Sequence, residues 1–303
     1  MTHVAVTGGT GFVGRHVVER LRAAGDEVVI LSRRTGFDLA AAELSTATAA
    51  LQGCDALVHC AGINREIGSQ TYDAVHVRGT RRLIEAARAA NVGHVSILSF
   101  LRARPDGPTS YHRSKWAAEE IVRSSGIPFT VLKAGVIHGR GDHMLDHLSH
   151  ALLTFPVFGL VGLHERAVRP VAVGDVARIL VAAANGDARL RDATLAVLGP
   201  EAMPLRDAVR RVATAVDRHP RCIRLPVAAH VGLAHVWEAT MRVPLISLAQ
   251  VHILAEGVTE VAPFGTEPPP DLRPSTPFDV PTIRAGLPAA ERYGCRDLRW
   301  CRP

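Results

Sequence analysis

Lysine is almost absent from this chain. Lys115 and Lys133 are its only two lysines, so the other 33 of its 35 basic residues are arginines. Aromatic residues make up 5% of the 303 positions, which leaves little to stack on bases. The arginines run no denser than pairs such as Arg33-Arg34, Arg81-Arg82 and Arg210-Arg211. The formal charge of +6 is therefore not a nucleic-acid footprint, and no nucleic-acid partner is expected. Cysteine is sparse too. Cys54, Cys60, Cys222, Cys295 and Cys301 are odd in number and lack metal-ligand spacing, which excludes a disulfide framework and suggests reduced thiols in a cytoplasm. Long apolar runs are missing: the stretch from Pro226 to Trp237 is interrupted by His230 and His235 and is too short to span a bilayer. Met1-Thr2-His3 leads straight into a strand pattern, so no secretory leader and no transmembrane segment are expected.

What is present is a folded-protein composition, 47% hydrophobic and 21% charged, with length enough for a large core. The first 135 residues alternate strands and helices at βαβ spacing. Strands are expected at Val4–Val6, Val28–Leu31, Asp55–His59, His94–Leu98 and Phe129–Leu132. Helices are expected at Phe12–Ala24, Thr80–Ala90 and Ser110–Ser124. The fold class is α/β, a doubly wound parallel sheet of the Rossmann type. Beyond residue 135 the rhythm loosens: a helix at Asp142–Leu153, an apolar loop at Phe155–Leu163, a helix at Val176–Asn185, a last sheet strand at Thr194–Leu198 and a helix at Leu205–Val216. The proline-rich stretch from Pro263 to Pro281 reads as irregular. The expected division is a nucleotide-binding domain over 1–200, with 136–167 contributing to the substrate cleft, and a small irregular C-terminal substrate-binding or lid region over 201–303.

Gly8, Gly11 and Gly14 form G-x-x-G-x-x-G between the first strand and its helix. The first glycine permits the tight turn, the second lets a pyrophosphate approach the backbone, and the third lets helix and strand pack closely. The helix start adds N–H donors and the positive dipole end, so Thr10, Phe12 and Val13 join the expected cofactor site. The second strand ends in Ser32-Arg33-Arg34, where an acidic residue would hold a ribose 2′-OH. Arg33 and Arg34 suit a 2′-phosphate instead, which favours NADP over NAD. Asp38 and Leu39 follow where the adenine edge would lie, and Cys60, Ala61 and Gly62 close the third strand on the same side.

Tyr111 and Lys115 form Y-x-x-x-K at a helix start, one face of the helix carrying both. With three tyrosines and two lysines in the chain, such a pair arises by chance in only ~2% of cases. A nearby ammonium is expected to lower the phenol's pKa toward a value useful for proton transfer. Lys115 is also expected to hydrogen-bond the nicotinamide ribose. Ser99, ending the preceding strand, is the expected carbonyl-orienting hydroxyl, with Ser96 as the fallback.

These pieces resemble the short-chain dehydrogenase/reductase superfamily, in its extended or atypical epimerase/dehydratase-like branch. The matching strings are Thr7 to Gly14, Asp55 to Gly62, Val75 to Thr80, Tyr111 to Lys115 and Val171 to Ala177, which occur in the family's order over roughly residues 1–200. The string Val131 to Asp142 is similar to atypical members that include relatives of the NAD(P)H-binding accessory subunit of respiratory complex I. The resemblance implies NADPH-dependent reduction of a small hydrophobic carbonyl or quinone. Two alternatives stand beside it: a non-catalytic nucleotide-binding structural or assembly protein, and a sugar-nucleotide epimerase or dehydratase that retains NAD. Three departures bear on turnover and on a sugar-nucleotide substrate. His76 replaces the usual asparagine, Lys133-Ala134 replaces Arg-Pro, and Ser96 to Arg102 lacks the usual serine-rich stretch.

His143, His147 and His150 fall at i, i+4 and i+7 with Asp142 and Asp146 beside them, a spacing that can ligate a divalent metal. No glutamate stands between them in the hydrolytic pattern, so no metal is assigned and the expectation is a polar face of the substrate cleft, with His138 and His143 close to substrate. The apolar segments Leu225–Val236 and Pro244–Leu254 suggest an apolar lid.

Overall fold

Val4, Ala5 and Val6 are wholly buried, as an interior strand of a parallel sheet covered on both faces must be. A computed structural model describes residues 1–242, 244–257, 259–261, 263 and 265–301. The chain divides into two units, each discontinuous in sequence. The first comprises Met1–Gly135, Val173–Val197 and Glu260–Pro274; the second comprises Val136–Ala172, Leu198–Thr259 and Ser275–Pro303.

The first unit is built on five strands, β1 (His3–Thr7), β2 (Glu27–Leu31), β3 (Ala56–His59), β4 (His94–Phe100) and β5 (Phe129–Ala134), and a sixth at Ala193–Val197. Their order is Ala193–Val197, β5, β4, β3, β1, β2, and every pairing is parallel. Strand order therefore reverses at β1, with β2 on one side and β3 on the other. The carboxyl ends of β1 and β3 form the crevice in which such sheets bind ligands.

The helices are α1 (Phe12–Ala23), α2 (Leu44–Leu51), α3 (Thr80–Ala89) and α4 (Ser110–Arg123), with a further one at Val173–Ala184. Helix α1 buries Val13, Val17, Val18 and Leu21 at helical spacing, then stops where Gly25 turns left-handed at φ +84°. Helix α4 starts where the Thr109 hydroxyl accepts the His112 N–H. Residues Asp73–Gly79 wind as a π-helix leading into α3, a local feature that no periodicity signals. On one face of the sheet Leu57, Val95, Ile97 and Val131 meet Leu83, Ile84 and Val122. Burying each such side chain contributes roughly 1.5–3 kcal/mol.

The second unit contains α5 (His143–Thr154), capped by Asp142, whose carboxylate accepts the N–H groups of Met144 (2.7 Å) and Leu145 (3.3 Å). Its core packs Leu145, Leu152 and Leu160 with Val209, Val212, Phe278 and Ile283. The segment expected as an apolar loop at 155–163 is instead a strand over Val157–Val161, paired in parallel with Arg221–Leu225. Its backbone is satisfied by a partner more than sixty residues away, which short-range patterning does not register. Helices at Leu205–Ala215, Val227–Thr240 and Leu248–Glu256 follow. Within the proline-rich stretch Phe264 lies outside the described residues, while Pro270–Leu272 forms a helical turn. Among the described residues no helix is long and apolar enough to cross a membrane.

Candidate functional site

The glycine turn is a tight junction between β1, α1 and β3. Gly8 has φ +68°, and a Cβ there would come within 2.8 Å of the Ala61 backbone. A Cβ on Gly14 would come within 2.2 Å of the Gly8 carbonyl oxygen. These positions admit no side chain. The Gly11 N–H donates to Gly8 O (2.8 Å), while no side chain caps the start of α1 at Gly11. Thr10 and Phe12 are half-buried and Val13 and Gly14 buried, with Gly11 exposed at the turn. An uncapped helix start beside a glycine cradle fits a pyrophosphate.

Around this turn the structure places the other expected cofactor residues. Arg33 and Arg34 stand exposed on a helical turn directly after β2. The Asp38 carboxylate accepts the Ala40 N–H (3.0 Å) and the Gln70 side-chain amide. Leu39 is buried against Gly79. Cys60 and Ala61 sit half-buried at the end of β3, Cys60 donating its N–H to Thr7 O and Ala61 donating its N–H to Thr7 Oγ1. Burial pushes the Cys60 thiol up to about 12, so it stays protonated.

Gly62 joins the two halves of the site. A Cβ on Gly62 would lie 3.3 Å from His76 Nε2 and 3.4 Å from Lys115 Nζ. Lys115 donates to the Leu98 carbonyl at 2.9 Å, and burial lowers its pKa to about 8, with Glu119 and Cys60 opposing the drop. Tyr111 lies one turn before it on α4, its ring enclosed by those of Phe100 (5.6 Å between centroids), Tyr72 (5.8 Å), His76 (5.9 Å) and His112 (6.1 Å). The expected lowering of the phenol by Lys115 is overturned. Burial raises the Tyr111 pKa, and Tyr72 adds to the rise, so Tyr111 is a protonated donor over the whole physiological range.

His76 is held at both ring nitrogens. The Ile63 N–H donates to Nε2 at 3.0 Å, which makes Nε2 the acceptor and puts the proton on Nδ1. Nδ1 then donates to Ser114 Oγ (2.9 Å), and Ser114 donates to the Tyr111 carbonyl (3.0 Å). One tautomer satisfies all three bonds. Burial first, then the Lys115 charge, holds His76 well below its ordinary pKa, so the ring is neutral.

Ser99 is placed differently from Tyr111 and Lys115. Its hydroxyl donates to Glu119 Oε1 at 2.5 Å, and Glu119 Oε2 accepts from Lys133 (3.0 Å) and Arg123 (2.8 Å). Ser99 and Lys133 are cross-strand partners on β4 and β5, and Lys133 also donates to the Ala103 carbonyl (2.8 Å). Ser96 is fully buried on the same strand. Tyr72, Ser114 and Glu119 did not figure in the expectations. Glu119 was legible, since Tyr111, Lys115 and Glu119 share one helix face at i, i+4 and i+8. In the second unit His138 is fully buried against the Phe278 ring, 4.7 Å away, and His143 is exposed at the start of α5.

Known proteins resemble this chain in sequence or in fold. The chain is 28% identical over 258 residues to a ceramide reductase of Caulobacter vibrioides, covering 80% of each protein. It is also 28% identical over 213 residues to the mouse mitochondrial NADH dehydrogenase [ubiquinone] 1 alpha subcomplex subunit 9, covering 64% of this chain and 56% of that protein. Its fold matches the Escherichia coli NADPH-dependent quinone oxidoreductase QOR2 complexed with NADPH, with a TM-score of 0.70 and 20% identity, over 92% of this chain and 98% of that one. The sequence profile of the NAD dependent epimerase/dehydratase family matches residues 4–194, well over half the chain, and the protein is a member of that family, whose cofactor is NAD or NADP.

Proposed function

We propose that this protein is an NADPH-dependent reductase of a carbonyl or quinone group on a small apolar molecule. The observation that carries the reading is the placement of Tyr111 and Lys115 on one face of α4, with Lys115 Nζ against the cofactor-side Gly62. When bound, the reduced nicotinamide supplies hydride. Tyr111, protonated and shielded by four rings, gives its proton to the carbonyl oxygen. Lys115 exchanges the Leu98 carbonyl for the nicotinamide ribose, and its charge at neutral pH stabilises oxygen anions beside it. Orientation of the carbonyl by Ser99 would require its proton to leave Glu119, so the reading rests on Tyr111 and Lys115. Arg33 and Arg34 support NADP over NAD. An apolar substrate is supported by the relative named for ceramide. Five free cysteines agree with a cytoplasmic setting. Tyr111→Phe should keep NADPH affinity within about two-fold and lose turnover by ~100-fold or more across a panel of quinones and long-chain carbonyls. Unchanged turnover would remove Tyr111 from the chemistry.

A second reading, a nucleotide-bound structural or assembly protein, is favoured by His76. Both its nitrogens are committed to protein partners where the family's asparagine helps hold a relay water, and the mitochondrial relative is named as a subunit of a larger assembly. NADPH oxidation that depends on any substrate in the panel argues against it. NAD that co-purifies and is never released would favour the epimerase or dehydratase alternative.

A further inference from the structure

Helix α5 brings the ligand atoms of His143, Asp146 and His147 within 4.8 Å of one another. Positions i, i+3 and i+4 share one helix face, so the cluster follows from the helix itself and needs no rearrangement of the backbone. Tetrahedral zinc holds nitrogen and oxygen ligands at about 2.0–2.2 Å, which side-chain rotation alone reaches from this spacing.

Beyond the three ligands lies a supporting shell. His150 Nε2 lies 3.4 Å from Asp146 Oδ1, on the next turn of the same helix. The Tyr293 ring stands 5.8 Å from His150 and its hydroxyl donates to the His147 carbonyl (3.5 Å).

One effect opposes a cation here: the start of α5 is the positive end of the helix dipole, worth roughly 0.3–1 kcal/mol at an exposed site. The Asp146 carboxylate in the first turn offsets it. Two imidazoles and one carboxylate select a borderline transition metal and disfavour magnesium and calcium, which take oxygen ligands.

We propose that His143, Asp146 and His147 form a three-ligand site for a first-row divalent cation of the zinc class, with a fourth position open to water or an exogenous ligand. The site lies wholly within the second unit and does not depend on the reductase reading. Nothing in it uses the nucleotide residues.

The test is cobalt titration of the full chain, followed by its visible d–d absorption, with zinc competition to measure affinity. One equivalent should bind with a four- or five-coordinate spectrum. His143→Ala and His147→Ala should each weaken binding by about ten-fold or more, and His150→Ala by up to about ten-fold through loss of the Asp146 contact. His235→Ala, an exposed histidine elsewhere, should leave binding unchanged. His143 is exposed, so its variant should fold, and zinc should also protect His143 from imidazole acylation in the unaltered protein. Absence of stoichiometric uptake, or uptake that survives in the His143→Ala/His147→Ala double variant, overturns the proposal.

Discussion

At the scale of single residues, protonation within the candidate site is decided by burial more than by neighbours. Lys115 shows this most directly, since its ammonium is desolvated and its pKa falls to about 8 from the ordinary 10.5. Between those values the folded chain binds fewer protons than the unfolded one, so stability rises with pH across that window. Below about pH 8 the buried charge costs stability at full strength. Lys115→Met should therefore raise the urea-unfolding free energy at pH 7 by on the order of 1–3 kcal/mol while weakening nucleotide binding. With only two lysines in the chain, carbon-13 labelling of lysine Cε gives two resolved NMR signals. The Lys115 signal should titrate near pH 8, and a midpoint above 10 would contradict the desolvated ammonium. The Y-x-x-x-K pair was legible in sequence because lysine is so rare. The rise in the Tyr111 pKa was not, because it comes first from burial by rings brought in from other elements and then from Tyr72.

Among elements, two junctions control the site. The first is the turn between β1 and α1, where a methyl group added at Gly8 or Gly14 would meet backbone and not flexible side chains. Gly14→Ala should lower nucleotide affinity by at least ~10-fold and destabilise the fold by roughly 1–3 kcal/mol, read by fluorescence titration and chemical unfolding. Retained affinity would mean that the loop does not carry the phosphate. The second junction is the buried charge cluster joining α4 to β4 and β5. Glu119→Ala strands Lys133, which is almost wholly buried, and should cost about 3–5 kcal/mol. Lys133→Met leaves Glu119 paired with Arg123 and should cost less. The reverse order in urea unfolding would show that Lys133 is not held by Glu119. The apolar patterns on α1 and α4 were readable from 3.6-residue spacing. The π-helical turn at Asp73–Gly79, which seats His76, leaves no such trace.

For the whole molecule, the order of strands places β1 between β2 and β3, so one end of one sheet collects the glycine turn, the Arg33-Arg34 turn and the Cys60–Gly62 segment. A ligand bound there stabilises the folded state by mass action, about 2.7 kcal/mol at a hundred times its Kd. NADPH should accordingly raise Tm more than NADH at equal concentration. An Arg33→Ala/Arg34→Ala variant should erase that difference while leaving the NADH response intact. Equal shifts for both nucleotides in the unaltered protein would withdraw the 2′-phosphate role of the two arginines.

By itself the sequence determined the elements whose signal is local. These are the βαβ rhythm of the first 135 residues, the glycine turn, the tyrosine–lysine pair and the histidine spacing on α5, each set by chain geometry over a few residues. Only the tertiary structure decided which partner each polar group takes. Ser99 donates a hydrogen bond to Glu119 twenty residues on, His76 is fixed in one tautomer by Ser114 and Ile63, and Val157–Val161 becomes a strand through Arg221–Leu225. The reason is physical. Hydrogen-bond partners and desolvation depend on which distant segments pack together, and no period in the chain encodes that choice.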